Sequence, residues 1–371
     1  MVTQADTIVV GGGAMGSAAT WQLAARGRAV IMLERFESGH DQGASHGSTR
    51  NFNVGYTDPA YIDMLIEAQR LWRELETESE TTLLEVTGIV NHGANPHYGQ
   101  MLDALTRAGM PAEFLPPEEA QRRWPGIRFD TRVLYTPEAG RLNAAEALAV
   151  LHQAACSRGA HLRFNTQATR LEVIDDDLVR ITTADEVFEA TRVIVTVGAW
   201  TRKLIGSRLD LPRLIVTQEQ PAHFAARDAG HTWPGFNHVP TAGDPDYDYW
   251  YSPIYGMHSP GEGIKAGWHG VGPVVDPDTR SFTAEPAQLR ALQRYVREWL
   301  PGADPERYED LSCTYTTAPD SNFVLRSEGP ITVGAGFAGH GFKFTPAIGR
   351  ILADLSDGSK PAPELTLSPW P

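Results

Sequence analysis

Cysteine is nearly absent from this 371-residue chain, occurring only as Cys156 and Cys313. Two thiols cannot build a disulfide framework or a thiol-rich metal cluster. Lysine is almost as scarce: Lys203, Lys265, Lys343 and Lys360 are the full set, so arginine carries nearly all the positive charge. No apolar run reaches the length of a membrane span. The formal net charge is −14, which argues against nucleic acid or an anionic membrane as the main partner. The chain enters a strand-like segment directly, without a secretory signal pattern, and with so few cysteines the expectation is cytoplasmic. Internal repeats and low-complexity tracts are also missing. What remains is a globular composition, 42% hydrophobic, long enough for one large or two intertwined domains.

The start of the chain is its clearest local signal. Thr7–Val10 reads as a strand, Gly11-Gly-Gly-Ala-Met-Gly16 follows without a gap, and Ala14–Arg26 has helical composition. A second strand, Ala29–Leu33, ends at Glu34. A GxGxxG pattern gains meaning in this strand–turn–helix–strand context. Gly11 serves the tight turn, Gly13 admits a pyrophosphate, and Gly16 allows close packing of helix on strand. The helix start offers free N–H groups to the phosphates. Glu34 stands where a carboxylate accepts from a ribose diol and repels a 2′-phosphate, which favours FAD or NAD over NADP.

The rest of the chain leaves and re-enters this unit. Asp41–Asp58 reads as a long polar loop, followed by helices at Pro59–Glu80 and His97–Ala108 around a strand at Gly88–Asn91. Asn143 reads as a helix N-cap with Glu146 completing a capping box, and the helix runs to Arg158. Strands at 161–174, 178–189 and Arg192–Val197 return to the nucleotide unit. A loop dense in acidic and aromatic residues, Asp244–Gly263, precedes the Lys265 strand, an amphipathic helix at 285–300, a last strand at Ile331–Gly336 and a helix at Pro346–Leu355. Pro361–Pro371 reads as an irregular end. The expected organisation is discontinuous: a nucleotide domain from 1–85, 146–218 and 311–371, and a substrate domain from 86–145 and 219–310.

Three residues need explaining by context. On residue type alone Cys313 reads as a small buried apolar side chain, as Cys156 does in its helix. Yet Cys313 opens Cys313-Thr-Tyr-Thr-Thr-Ala-Pro-Asp320, just before the glycine-rich Gly336-Phe-Ala-Gly-His-Gly-Phe-Lys343. Lys265 and Lys343 both lie in apolar, glycine-containing runs, where the plain alternative is a stem packed on the surface with its head in water.

Taken in order, these markers resemble the monomeric sarcosine oxidase and N-methyltryptophan oxidase family of the D-amino acid oxidase superfamily. They are Gly11–Gly16, Ser45-His-Gly-Ser-Thr-Arg50, Val197-Gly-Ala-Trp200, Lys265 with His269, the Cys313 run and the Gly336–Lys343 run. The resemblance implies an α/β (mixed α+β) fold, an FAD-binding Rossmann-type domain with an inserted mixed or antiparallel-sheet substrate domain. It also implies FAD joined to Cys313 by an 8α-cysteinyl thioether, and oxidation of a secondary amine to an imine with O2 reduced to H2O2. For catalysis it points to Lys265 beside the flavin for oxygen activation, with His269, His46 and Arg50. For the cofactor it points to Gly11, Gly13, Ala14, Met15 and Gly16, to Glu34 and Arg35, and to Ser45 and Thr49. Cys313, Gly339, His340, Gly341 and Lys343 complete that group.

For the substrate the expected residues are Lys343 as carboxylate anchor, Asn53, Tyr251 and the wall residue Tyr315. Two departures matter. Asn53 stands where the family pattern has a second carboxylate-binding arginine, and asparagine cannot form the bidentate charged pair. The acidic, aromatic loop at 244–263 is longer than the family's, and reads either as a solvated turn or as a lid for a bulkier amine. Sarcosine itself is therefore not the expected substrate. The expected partners are an amine and O2, with the protein a monomer and no metal bound. The rival readings are a dehydrogenase passing electrons to a partner and a flavin-carrying subunit without turnover.

Overall fold

The computed structural model describes residues 2–206, 208–228 and 230–359. Its first layer is an eight-stranded sheet built around Val2–Val10. That strand pairs in parallel with Val30–Leu33 on one side and Val187–Val195 on the other, and His161–Arg163 extends the sheet. Ile331–Ala335 lies parallel to Val187–Val195, while Leu178–Thr182 and Arg170–Asp175 continue antiparallel. Ile8, Val9 and Val10 are buried, as expected of a strand covered on both faces.

The helix after the glycine turn, Ala14–Ala25, is rich in alanine and glycine and packs against the last helix, Thr345–Ser356. Small side chains are what permit this. A Cβ on Gly349 would stand 2.5 Å from that of Ala18, too close for any larger residue.

The second layer is also an eight-stranded sheet, antiparallel except where Gly235–Val239 runs parallel to Ile89–Gly93. Gly263–Trp268 sits inside it, between Ala222–Ala226 and Ile254–Ser259. The amphipathic helix Pro286–Trp299 covers one face, burying Leu292, Tyr295, Val296 and Trp299. Among the described residues no helix is long and apolar enough to cross a membrane.

Several sequence expectations need correction. The polar stretch 41–58 contains the strand Thr49–Phe52, paired with Gly140–Asn143. Much of the 244–263 loop is the strand Ile254–Ser259, one arm of a hairpin with Gly263–Trp268. Asn143 does precede the helix Ala144–Ser157, but its side chain donates to Thr82 O at 3.0 Å and caps nothing. It ends a strand, and that strand's cross-chain contacts outcompete the local cap. Cys156 is exposed rather than buried, because it falls on the outward face of its helix. Pro361–Pro371 lies outside the described residues.

Candidate active site

A cleft of about 860 Å³ runs between the two layers. Its inner end begins at the glycine turn. Gly16 does not line the cleft; a Cβ there would stand 1.8 Å from Gly11 O. The residue must be glycine so that the helix can begin directly against the first strand. Gly11, Gly13, Ala14 and Met15 do line the cleft. Ala14 N donates to Ser45 Oγ at 3.0 Å, which ties the 43–47 segment to the helix start. Glu34, 6% exposed, accepts from Gly12 N at 2.7 Å and from Phe36 N at 2.9 Å. Its carboxylate is thereby fixed at the cleft edge with further lone pairs unused. Arg35 extends along the same edge, held by Asp278 at 2.6 Å.

The middle of the cleft gathers cations, unexpected in a chain of net charge −14. Arg50 donates to Thr49 O, Ala44 O and His46 O, so backbone carbonyls fix it rather than a carboxylate. Thr49 is itself pinned by a buried hydroxyl bond to Ser259 of the second sheet. Lys265, 5% exposed, makes no hydrogen bond or ion pair from Nζ among the described residues. Burial first, and then the Arg50 charge, lower its pKa to about 7. His46 is lowered to about 4 by burial, Arg50 and Lys265, and its buried Nε2 has no partner among the described residues. Cys313 lies beside this cluster at the start of the strand Cys313–Thr317, half-buried. Its charge interactions run to Lys265 and to Arg280, the latter held by Ser312 Oγ at 2.7 Å.

The outer wall holds the second buried lysine. Lys343 Nζ donates to Tyr56 OH and His340 O, both at 2.9 Å, and makes no ion pair among the described residues. Burial lowers its pKa to about 7. Tyr56 OH also meets His340 Nδ1 at 3.1 Å. His269 is lowered to about 4 by burial and then by Lys343, and its Nδ1 lies 3.3 Å from Tyr315 OH. It stands one residue past the Gly263–Trp268 strand, fixed by Pro253 O and Ser252 Oγ. Gly339 carries a φ of +74°, and a Cβ there would fall 2.1 Å from Tyr315 Cζ, so the tyrosine ring lies directly on the glycine turn. His340 and Gly341 continue that wall.

Apart from Gly16, one expected residue falls outside the cleft. Tyr251 is 45% exposed and packs on Trp268. Tyr247, Tyr249 and Trp250 likewise turn into the core under the helix Pro286–Trp299. The rings of Tyr247, Tyr249 and Trp250 therefore pack on the far side of the sheet, while Tyr255, on the hairpin arm of the same segment, lines the cleft. Asn53 does line the cleft, with its Oδ1 accepting from Gly55 N at 3.0 Å.

The sequence reading missed Tyr56, Tyr255, Asn91 and Asn237, all of which line the cleft. Tyr56 belongs to a polar loop and acquires its role only through Lys343, 287 residues later. Asn91 and Asn237 are neighbours across parallel strands, bonded at 2.9 Å. An asparagine in each of two apolar strands was the signal available.

The comparisons agree with this geometry. The DAO profile, described as FAD dependent oxidoreductase, matches residues 6–355. The chain belongs to that family. Monomeric sarcosine oxidase of Bacillus sp. (strain B-0618) is 31% identical over 96% of this chain and 93% of its own length. Peroxisomal sarcosine oxidase of Mus musculus is 30% identical over 98% and 95%, and N-methyl-L-tryptophan oxidase of Citrobacter koseri is 29% identical over 97% of each. Among solved structures, the open form of NikD, an unusual amino acid oxidase essential for nikkomycin biosynthesis, superposes with a TM-score of 0.86. It is 26% identical, covering 100% of this chain and 98% of that one. The mixed α/β architecture and the assignment as an FAD-dependent oxidoreductase follow. The residues present fit FAD: a glycine turn, the fixed Glu34 carboxylate, a cation cluster and a buried His46 Nε2 without a partner among the described residues share one cleft.

Proposed function

We propose that the protein is an amine oxidase that converts a secondary amino acid, N-methylated or cyclic, to an imine and passes the electrons to O2 as hydrogen peroxide. FAD supplies the two-electron chemistry when bound. The carrying observation is the pair of buried lysines facing one cleft, neither in an ion pair with a carboxylate among the described residues. Each sits where a fixed cation has to be matched by something that binds.

On this reading Lys343 takes the substrate carboxylate. That contact restores the favourable environment burial removed, and Tyr56 aims the ammonium. Lys265, near Arg50 and His46, stabilises negative charge developing on oxygen at the opposite face of the site. His269 and Tyr315 line the wall and exclude water from the reacting carbon. Both histidines facing the lysines are held neutral by burial, so the positive charge facing the amine comes from the lysines, and like-charge repulsion favours the neutral, oxidisable amine. Asn53, in place of an arginine, leaves one carboxylate anchor, which favours an amine with additional contacts of its own over sarcosine. The segments 1–85, 146–218 and 311–371 hold the cofactor, and 86–145 with 219–310 form the substrate side.

The same reading makes Cys313 the covalent tether, with the protein acting as a monomer on a small-molecule amine. The thiol opens a strand at the cleft wall beside Lys265 and Arg280, within the same cleft as the glycine turn. Acid precipitation of wild type should leave the yellow colour in the pellet, whereas Cys313→Ser should release it to the supernatant. Flavin that stays with the precipitated variant would refute the tether. Peroxide release against a panel of N-methyl and cyclic amino acids tests the activity, and loss of the signal in the matching methyl esters is expected. Equal turnover of acids and esters would remove Lys343 from the substrate site.

A further inference from the structure

On the back of the large sheet, away from the cleft, two histidines stand in register on adjacent parallel strands. His92 lies on Ile89–Gly93 and His238 on Gly235–Val239, with ring centroids 3.8 Å apart. Both are 0% exposed, and all four ring nitrogens lack a hydrogen-bond partner among the described residues. Buried imidazole nitrogens are ordinarily satisfied, so four such atoms in one spot point to a ligand. The third member is Asp130, exposed at the surface above them. One ligand atom from each of the three residues lies within 4.8 Å of the others.

We propose that His92, His238 and Asp130 form a binding site for one divalent ion of the zinc class. Two neutral nitrogens and one carboxylate oxygen make a donor set suited to such an ion, with a fourth position left to water. Ligands about a tetrahedral ion at bonds of ~2.1 Å stand roughly 3.4 Å apart, so the set would close by about an ångström on binding. Burial already lowers His92 to about 3 and keeps His238 neutral, leaving their lone pairs available.

The surroundings fix the ligands from outside. Tyr247 OH donates to Asp130 Oδ2 at 3.2 Å, and Thr131 Oγ1 accepts from Gly93 N at 2.8 Å. Arg128, whose N donates to Trp299 O, stacks on the Trp299 ring at 4.6 Å, and its charge also reaches His238. Phe129, Trp250 and Trp299 enclose the pair against water. The acidic loop thus has a place here, through Tyr247 and Trp250.

Each histidine directly follows a cleft asparagine, His92 after Asn91 and His238 after Asn237, and side chains alternate faces along a strand. An ion behind the sheet would therefore hold the two strands that present the Asn91–Asn237 pair to the cleft.

The test uses the flavin-loaded enzyme after dialysis against a chelator. Zinc titration followed by calorimetry should show one ion per chain, and cobalt in its place should give d–d bands to the red of the flavin absorption. Asp130→Asn, a change at an exposed residue, should weaken zinc at least about 10-fold, and Tyr247→Phe should weaken it less. Zinc should raise the melting temperature of wild type more than that of Asp130→Asn. No stoichiometric binding, or binding by Asp130→Asn within about threefold of wild type, would show that the histidines are packing residues only and overturn the proposal.

Discussion

Lys265→Met separates what the active site gains from what the fold loses. The methionine keeps the length and apolar stem of the side chain and removes only the charge. In the wild type Lys265 has a pKa near 7 in the folded chain against an ordinary 10.5. At about 1.4 kcal/mol per tenfold change in proton affinity, that difference is worth up to roughly 5 kcal/mol. The folded pKa is depressed, so the unfolded chain binds more protons between pH 7 and 10.5, and wild-type stability rises with pH across that window. Below pH 7 the cost is paid in full; above 10.5 both states are neutral and it disappears.

Lys265→Met should therefore be more stable than wild type at pH 6, by at least about 2 kcal/mol after relaxation. It should lose most of that advantage by pH 10.5. Urea unfolding followed by tryptophan fluorescence, in matched flavin states, reads both. The same variant should lose oxygen reactivity. A unit charge about 4 Å from a developing anion at an effective dielectric near 20 contributes about 4 kcal/mol, so flavin reoxidation should slow by on the order of 10²–10³-fold, with substrate reduction changed little. A variant no more stable than wild type at pH 6 would refute the burial argument. Reoxidation within threefold of wild type would refute the role assigned to the charge.

Gly16→Ala should cost at least about 1–3 kcal/mol, since its Cβ would stand 1.8 Å from Gly11 O and 2.5 Å from Thr196 Oγ1, both fixed by the first sheet. Reduced flavin content per chain and a lower melting temperature are expected, and normal loading would show the turn to be more yielding than its contacts imply. Tyr56→Phe removes one of two hydrogen bonds to the Lys343 ammonium. That loss should cost about 1.5–3 kcal/mol and raise KM for the amino acid more than it lowers kcat. An unchanged KM would mean that Lys343 does not meet the substrate.

The amino-terminal unit was fully legible in the sequence because its information is local. A strand, a glycine turn and a helix are adjacent in the chain, and a Cβ at Gly16 is forbidden by an atom five residues away. Lys265 and Lys343 could be singled out for a similar reason, since charge within an apolar run is visible without any contact. The partner of Lys343 could not. Tyr56 meets it across 287 positions, and nothing in either residue's neighbourhood announces that bond, whereas Arg50 was reached only through the family resemblance.

The 244–263 segment marks the boundary between the two kinds of information. Its composition foretold an unusual function but not its direction, because periodicity fixes which residues share a face and not which layer that face meets. Packing sent Tyr247 and Trp250 behind the sheet, over His92 and His238, whose proximity depends on a parallel pairing between strands 146 residues apart. The sequence alone thus determined a dinucleotide-binding start and singled out two lysines, through local geometry and misplaced charge, and its resemblance to a family narrowed the dinucleotide to FAD. Tertiary structure decided which side chains support them and where a second cluster of unpartnered nitrogens would form, because only the closing of distant strands brings those atoms within reach.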